Sequence, residues 1–266
     1  MTTTLITGAN RGIGMATAVS LARAGHRVLA TMRDTASGDA LRTVAAAESL
    51  AVHIAQLDVN SDASVRAAVT ALESAHGPVD VLVNNAGIGR FGSVEELPLE
   101  AFRAVMETNY FGTIRCIQAV LPGMRERGQG CIVNISSVSG RLSTSPLGPY
   151  AASKFAVEAL SEALAQEVLP FGIRVVVVQP GTIDTAMPRS VAEHPGHSIY
   201  PNAQRVARMF SSALRGASDP SEVGDAIRDI LADPSKQFRY PVGADAEALL
   251  AMRTVISDEE WIRVIA

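Results

Sequence analysis

Cysteine is nearly absent from this sequence, with Cys116 and Cys131 the only two in 266 residues. Two thiols make a poor disulfide framework, and both read as inert core residues. Basic excess is missing as well, since the net charge is −4. A nucleic-acid partner needs a clustered basic surface to neutralise phosphates, so none is expected. No apolar run approaches the roughly 18 residues that cross a bilayer, so no membrane span is expected. Met1 to Thr7 holds no basic segment followed by a long apolar stretch. No signal peptide is therefore expected, and the cytoplasm is the default location. Internal repeats, low-complexity tracts and Pro- or Ser-rich linkers are lacking too. Residues 1–266 thus read as a single soluble domain, of a length at which one core still closes.

What is present is alternation. Short β-branched apolar runs predict strands near 3–7, 27–32, 52–57, 79–84, 130–136, 173–179 and 237–242. Stretches of helical period predict helices near 12–25, 36–48, 61–76, 99–126 and 150–170, with shorter ones after 186. Such alternation implies βαβ units, hence an α/β fold with a doubly wound parallel sheet of about seven strands and helices on both faces. Val175 to Val178 are apolar without alternation, as a strand covered on both sides should be. Gly25 and Gly172 follow helical stretches as stops, and Gly77-Pro78 punctuates another.

Two clusters carry chemistry. Tyr150 and Lys154 stand four residues apart behind Pro149, with Ser137 thirteen residues upstream. On a helix that spacing puts both side chains on one face. A cation beside the phenol is expected to lower its pKa from about 10, making it a proton donor or acceptor near neutrality. The other cluster is Thr7-Gly8-Ala9-Asn10-Arg11-Gly12-Ile13-Gly14, where the first strand runs into the first helix. Glycines at 8, 12 and 14 let the backbone turn tightly and approach a pyrophosphate at the helix N-terminus. Their Gly-x-x-x-Gly-x-Gly spacing differs from the commoner Gly-x-Gly-x-x-Gly. Taken singly, each polar residue has a plainer reading: Ser137 as a strand-end hydroxyl, or Tyr150 and Lys154 as a solvated helix face. It is the conjunction that points to a site.

Together these residues resemble the short-chain dehydrogenase/reductase family over essentially the whole chain. Thr7-Gly8-x-x-x-Gly12-x-Gly14 matches its cofactor turn, with Asn10, Arg11 and Ile13 inside it. Asp58-Val59 matches the pair that contacts adenine. Asn84-Asn85-Ala86-Gly87 matches the segment that ends the fourth strand and lines the cofactor. Asn109, Ser137, Tyr150 and Lys154 match the catalytic tetrad. Pro180-Gly181-Thr182-Ile183-Asp184-Thr185 matches the loop that grips the nicotinamide. The resemblance implies a single-domain Rossmann fold and an oxidoreductase. In it Tyr150 exchanges the proton, Ser137 fixes the substrate oxygen, and Lys154 lowers the Tyr150 pKa and bonds the nicotinamide ribose. Asn109 positions a water linking Lys154 to solvent.

The second strand ends Met32-Arg33-Asp34, where an NAD enzyme of this fold places an acid for the ribose hydroxyls. The acidic position is read as Met32, and Arg33 with Arg11 suits a 2′-phosphate, favouring NADP(H). A shifted register would put Asp34 on the ribose, so NAD(H) stays open. Residues 186–217 read as a variable substrate lid. Met187 and Tyr200 in it, with Leu142, Leu147 and Phe91, are candidates for an apolar pocket, or else the lid stripe merely packs on the sheet. His194-Pro-Gly-His197 reads as a solvated turn, and no metal is expected. The stretches 150–172 and 239–243 look like the branch that includes steroid and retinol dehydrogenases. That likeness implies a hydrophobic ketone or secondary alcohol as partner, and a homodimer or homotetramer joined through the helices near 99–126 and 150–170. The alternative is an NADP(H)-binding sensor without turnover, which would have no use for the tetrad. A methyltransferase would share only the glycine turn.

Overall fold

The structure, a computed structural model, describes residues 1–192, 198–233, 235 and 237–265. The apolar runs form β1 (Thr3–Thr7), β2 (Arg27–Met32), β3 (Val52–Gln56), β4 (Val81–Asn84), β5 (Gly130–Ile135), β6 (Ile173–Pro180) and β7 (Arg239–Val242). All pair in parallel in one sheet of order β3-β2-β1-β4-β5-β6-β7. Each strand end lies within two residues of its expected place. Strand order reverses between β1 and β4, and a crevice opens beyond the carboxyl ends at such a switch point.

The helices are α1 (Gly12–Arg23), α2 (Asp39–Ala47), α3 (Asp62–His76), α4 (Leu99–Met106), α5 (Gly112–Arg127) and α6 (Gly148–Val168). After β6 come α7 (Ala186–Ala192), α8 (Asn202–Ala213), α9 (Pro220–Ala232), α10 (Ala246–Val255) and α11 (Asp258–Ile265). Strand periodicity sends alternate side chains to opposite faces. Ile6, Val28 and Ala30 join the core beneath α1 and α9, while Leu5 and Leu29 join the core beneath α3, α5 and α6. Leu5, Leu29 and Leu82 are fully buried, each contributing about 2 kcal/mol by leaving water. Helices α1 and α9 pack closely because a Cβ on Gly224 would lie 2.8 Å from the Ala16 backbone. Cys116 and Cys131 belong to opposite faces of the sheet, and burial pushes both thiols up to about 12.

The structure departs from the expected helix near 99–126, which is broken by a π-helical turn over Glu107–Phe111. That wide turn carries Asn109. Among the described residues no helix is long and apolar enough to cross a membrane.

Candidate active site

β1 delivers the chain to Gly8 and Gly12, whose φ values of +66° and +54° favour glycine. The Thr7 hydroxyl accepts from the backbone N–H groups of Asn85 and Ala86, both at 3.0 Å. The Asn85 amide returns the contact, donating to Thr7 O at 2.8 Å and Gly8 O at 3.1 Å. The end of β4 is thereby stitched to the turn. No side chain caps α1, and its N-cap is the extended Arg11. An uncapped helix start over a glycine cradle is a place for an anionic pyrophosphate. Gly14 packs behind the cradle: a Cβ there would come within 2.4 Å of both Asn85 Nδ2 and Gly8 O. Gly14→Ala is therefore expected to destabilise the fold by about 1–3 kcal/mol and abolish dinucleotide binding. Thermal unfolding and cofactor fluorescence would check this, and unchanged binding would contradict it.

α6 starts at Gly148 with Pro149 in its first turn, a position where the missing N–H costs nothing. Tyr150 and Lys154 then rise on one face beside the end of β5, where Ser137 sits. The Ser137 hydroxyl is buried, accepts from Ser139 N at 3.1 Å and donates to Pro180 O at 3.5 Å. Lys154 Nζ lies 5.6 Å from the Tyr150 ring centre and donates to Ile135 O at 2.7 Å. Burial pushes the phenol up to about 12, and the Ser137 hydroxyl works against that rise. Burial also drives the Lys154 ammonium down to about 8, with the Glu158 carboxylate opposing. The expected lowering of the Tyr150 pKa by Lys154 is not what this geometry produces. Desolvation outweighs the cation, whose ammonium is turned to a carbonyl and itself driven toward neutrality.

Asn109 is 2% exposed and acts as a clamp. Its Oδ1 accepts from Ile88 N at 2.8 Å, and its Nδ2 donates to Ile88 O at 3.0 Å and Ser153 Oγ at 2.9 Å. The side chain thus ties the exit of β4 to α6 rather than reaching into the cleft.

The glycine turn, Ser137, Tyr150 and Lys154 all line one cleft of 1510 Å³. Asp58, Val59 and Arg33 line it too, as do Asn85 to Gly87 and the expected loop residues Pro180, Gly181, Ile183 and Thr185. Arg11, Arg33 and Asp34 are all exposed there, and Asp34 Oδ1 caps the following turn by accepting from Ala36 N at 2.9 Å. Leu142, Leu147, Met187 and Phe91 form apolar wall, and the Phe91 ring centre lies 6.5 Å from that of Tyr150. Tyr200 does not join them. Its hydroxyl bonds the Glu95 carboxylate away from the cleft, because that acid offers a stronger partner than an apolar wall. His194 and His197 lie outside the described residues.

Two residues escaped the sequence reading. Trp261 of α11 lines the cleft, 7% exposed, with its indole N–H donating to Ser143 O at 2.9 Å. It is the one tryptophan of the chain, the signal that was available. Asp245, just before α10, accepts from Thr182 N at 3.0 and 3.1 Å and from Thr182 Oγ1 at 2.7 Å. It anchors the loop after β6, and no motif spacing announces it.

Comparison with known proteins agrees with this geometry. The sequence model described as short chain dehydrogenase matches residues 2–196. The chain is 38% identical over 275 residues to retinol dehydrogenase 8 from Homo sapiens, covering 96% of this chain and 86% of that protein. It is 35% identical over 266 residues to 17-beta-hydroxysteroid dehydrogenase type 1 from Homo sapiens, covering 95% and 80%. A solved short-chain dehydrogenase from Streptomyces avermitilis matches with a TM-score of 0.82 and 34% identity, over 99% of this chain and 96% of that one.

Proposed function

The chain belongs to the short-chain dehydrogenase/reductase family, an oxidoreductase acting on CH–OH groups with a nicotinamide cofactor, and on that footing we propose that it interconverts hydrophobic ketones and secondary alcohols with NADP(H). The observation that carries this reading is the meeting of Tyr150, Ser137 and Lys154 with the uncapped glycine cradle in a single cleft. When bound, the nicotinamide supplies or accepts the hydride. The chain's own residues do the rest. Gly8, Asn10, Gly12 and Ile13 hold the pyrophosphate, Asp58 and Val59 the adenine, and the loop from Pro180 to Thr185 the carboxamide. Ser137 fixes the substrate oxygen, and preorganised donors of this kind are usually the larger catalytic term. Tyr150 holds the proton at its phenolic oxygen, giving it up as a carbonyl is reduced and taking it back as an alcohol is oxidised. Asn109 acts as a positioning residue, holding α6 against the β4 exit.

NADP(H) is favoured by the two guanidiniums of Arg33 and Arg11 at the cleft, against the one carboxylate of Asp34, whose Oδ1 already accepts from Ala36 N. Arg33→Ala is expected to weaken NADPH binding about 10- to 100-fold, the loss of charged hydrogen bonds, and to leave NADH within about twofold. Fluorescence titration with both cofactors measures it, and an equal loss for both would argue against the 2′-phosphate assignment.

A hydrophobic substrate is supported by the walls at Leu142, Leu147, Met187 and Trp261. The apolar alcohols named in the two relatives, retinol and a hydroxysteroid, agree with it. Self-association through α6 and the π turn that leads into α5 would cover Phe155 and Phe111, each 45% exposed. The test is oxidation of NADPH and NADH against steroid and aryl ketones, with the reverse reaction on the matching alcohols. Turnover preferring NADPH is expected. Cofactor binding with silence in both directions would favour a sensor instead.

A further inference from the structure

One buried carboxylate has no place in the mechanism above. Glu158 lies on α6 one turn beyond Lys154 and is 5% exposed. Its neighbours on the inward face of α6, Val157, Ser161 and Leu164, are buried as well. An apolar residue could occupy such a position at little cost, whereas a buried carboxylate requires partners. Two strands provide them. Gln179 of β6 donates to Glu158 Oε1 at 2.9 Å, and Arg239 of β7 donates to Oε2 at 2.8 Å. Arg239 reaches outward to Glu162 at 2.6 Å, and that carboxylate also feels Arg141 from the turn after β5.

The carboxylate is also built into the wall behind the catalytic group. A Cβ on Gly140 would meet Ser136 Oγ at 2.6 Å, Glu158 Cγ at 2.9 Å and Lys154 O at 3.2 Å. Glycine at 140 thus lets the Ser136–Ser137 strand end close directly onto the Lys154–Glu158 turn. Ser136 Oγ is buried there without a partner. Salt and solvent screen little at this depth, so what Lys154 feels one turn away is the Glu158 carboxylate together with the Arg239 guanidinium paired to it.

We propose that Glu158 is a positioning residue whose carboxylate, fixed by Gln179 and Arg239, keeps the ammonium of Lys154 charged in its buried seat. This rests on the reading of Lys154 as a cofactor-binding and proton-handling residue. The groups that bear on the pair are Tyr150 and Glu162 on α6, Arg239 on β7, and Arg141 near the end of β5. Burial of the ammonium and the opposing effect of Glu158 agree with the arrangement.

Composition makes the test direct. Lys154 and Lys236 are the only lysines in the sequence, so protein labelled with 13C at lysine Cε gives two resonances, and Lys236→Arg leaves one. The pH titration of that resonance reads the Lys154 midpoint without any turnover. Glu158→Gln is expected to move the midpoint down by about one unit, a tenfold loss of proton affinity. Arg239→Gln, which removes the competing cation, is expected to move it up. An unchanged midpoint in folded Glu158→Gln protein would overturn the proposal. Should that variant fail to fold, Glu158→Met, which fills a similar volume while Arg239 keeps Glu162 as its partner, is titrated in its place, and an unchanged midpoint there overturns the proposal equally. NADPH affinity against pH, measured on the same proteins, separates the two readings. If the Glu158 substitution moves the midpoint but cofactor affinity does not follow, the proposal on Glu158 stands and the assignment of Lys154 to the cofactor falls.

Discussion

Tyr150→Phe is expected to lower turnover by about 10²- to 10⁴-fold, the usual contribution of a positioned proton donor. Cofactor should still bind, because the glycine cradle, Asp58, Val59 and the loop after β6 are untouched. The fold should change by less than about 1 kcal/mol, since phenylalanine fills the same volume beside Phe91 and removes only a hydroxyl. Steady-state rates with a ketone found active on the natural protein, alongside a cofactor titration, separate these effects. If the variant keeps more than a tenth of the activity, another group carries the proton and Tyr150 merely shapes the cleft.

Lys154→Met is expected to destroy activity while making the cofactor-free protein more stable at neutral pH. Burial lowers the Lys154 pKa from its ordinary 10.5 to about 8. As pH falls from about 10.5 toward 8, the unfolded chain takes up this proton before the folded one does. The folded state therefore loses stability across that window, and the deficit is constant below it. At roughly 1.4 kcal/mol per unit the penalty at pH 7 is about 3 kcal/mol. Methionine removes it but leaves the Ile135 carbonyl without its donor, which costs about 1 kcal/mol. A net gain of about 2 kcal/mol is the result, shrinking and then reversing as pH approaches 10.5. Urea unfolding at pH 7 and pH 10 reads both the size and the sign. A variant already less stable at pH 7 would show that the ammonium is better satisfied in its seat than burial implies.

Much of the architecture was legible before any coordinates, for a physical reason. A parallel sheet buried on both faces must be written as short apolar runs, and the seven strands stand where those runs occur. The glycine turn was legible because each of its glycines answers a local demand. Gly8 and Gly12 take positive φ, and Gly14 has no room for a Cβ. What was not legible depends on contacts between distant segments. The π turn at Glu107–Phe111 interrupts a helical pattern that runs on without a break in the sequence. Its Asn109 is held by Ile88 and Ser153, 21 and 44 residues away. The direction of the Tyr150 pKa was misread because spacing shows a neighbouring cation but not the burial that outweighs it. Tyr200 was placed in the pocket on its aromatic character, yet a loop aromatic can face either way, and Glu95 settles which. Trp261 and Asp245 come from segments whose own patterning says only that they are amphipathic or polar.

The cleft is also assembled from stretches far apart in the order of synthesis. When β6 leaves the ribosome, the glycine turn, Ser137, Tyr150 and Lys154 have all been made. Asp245, which pins the loop after β6, and Trp261, which lines the far wall, emerge only later. A nascent chain at that stage thus holds the glycine turn but lacks α9, against which α1 packs, and the anchor that fixes the loop after β6. The same order divides what can drift from what cannot. Substitutions in α11 are expected to reshape the far wall of the cleft while Ser137, Tyr150 and Lys154 keep their places.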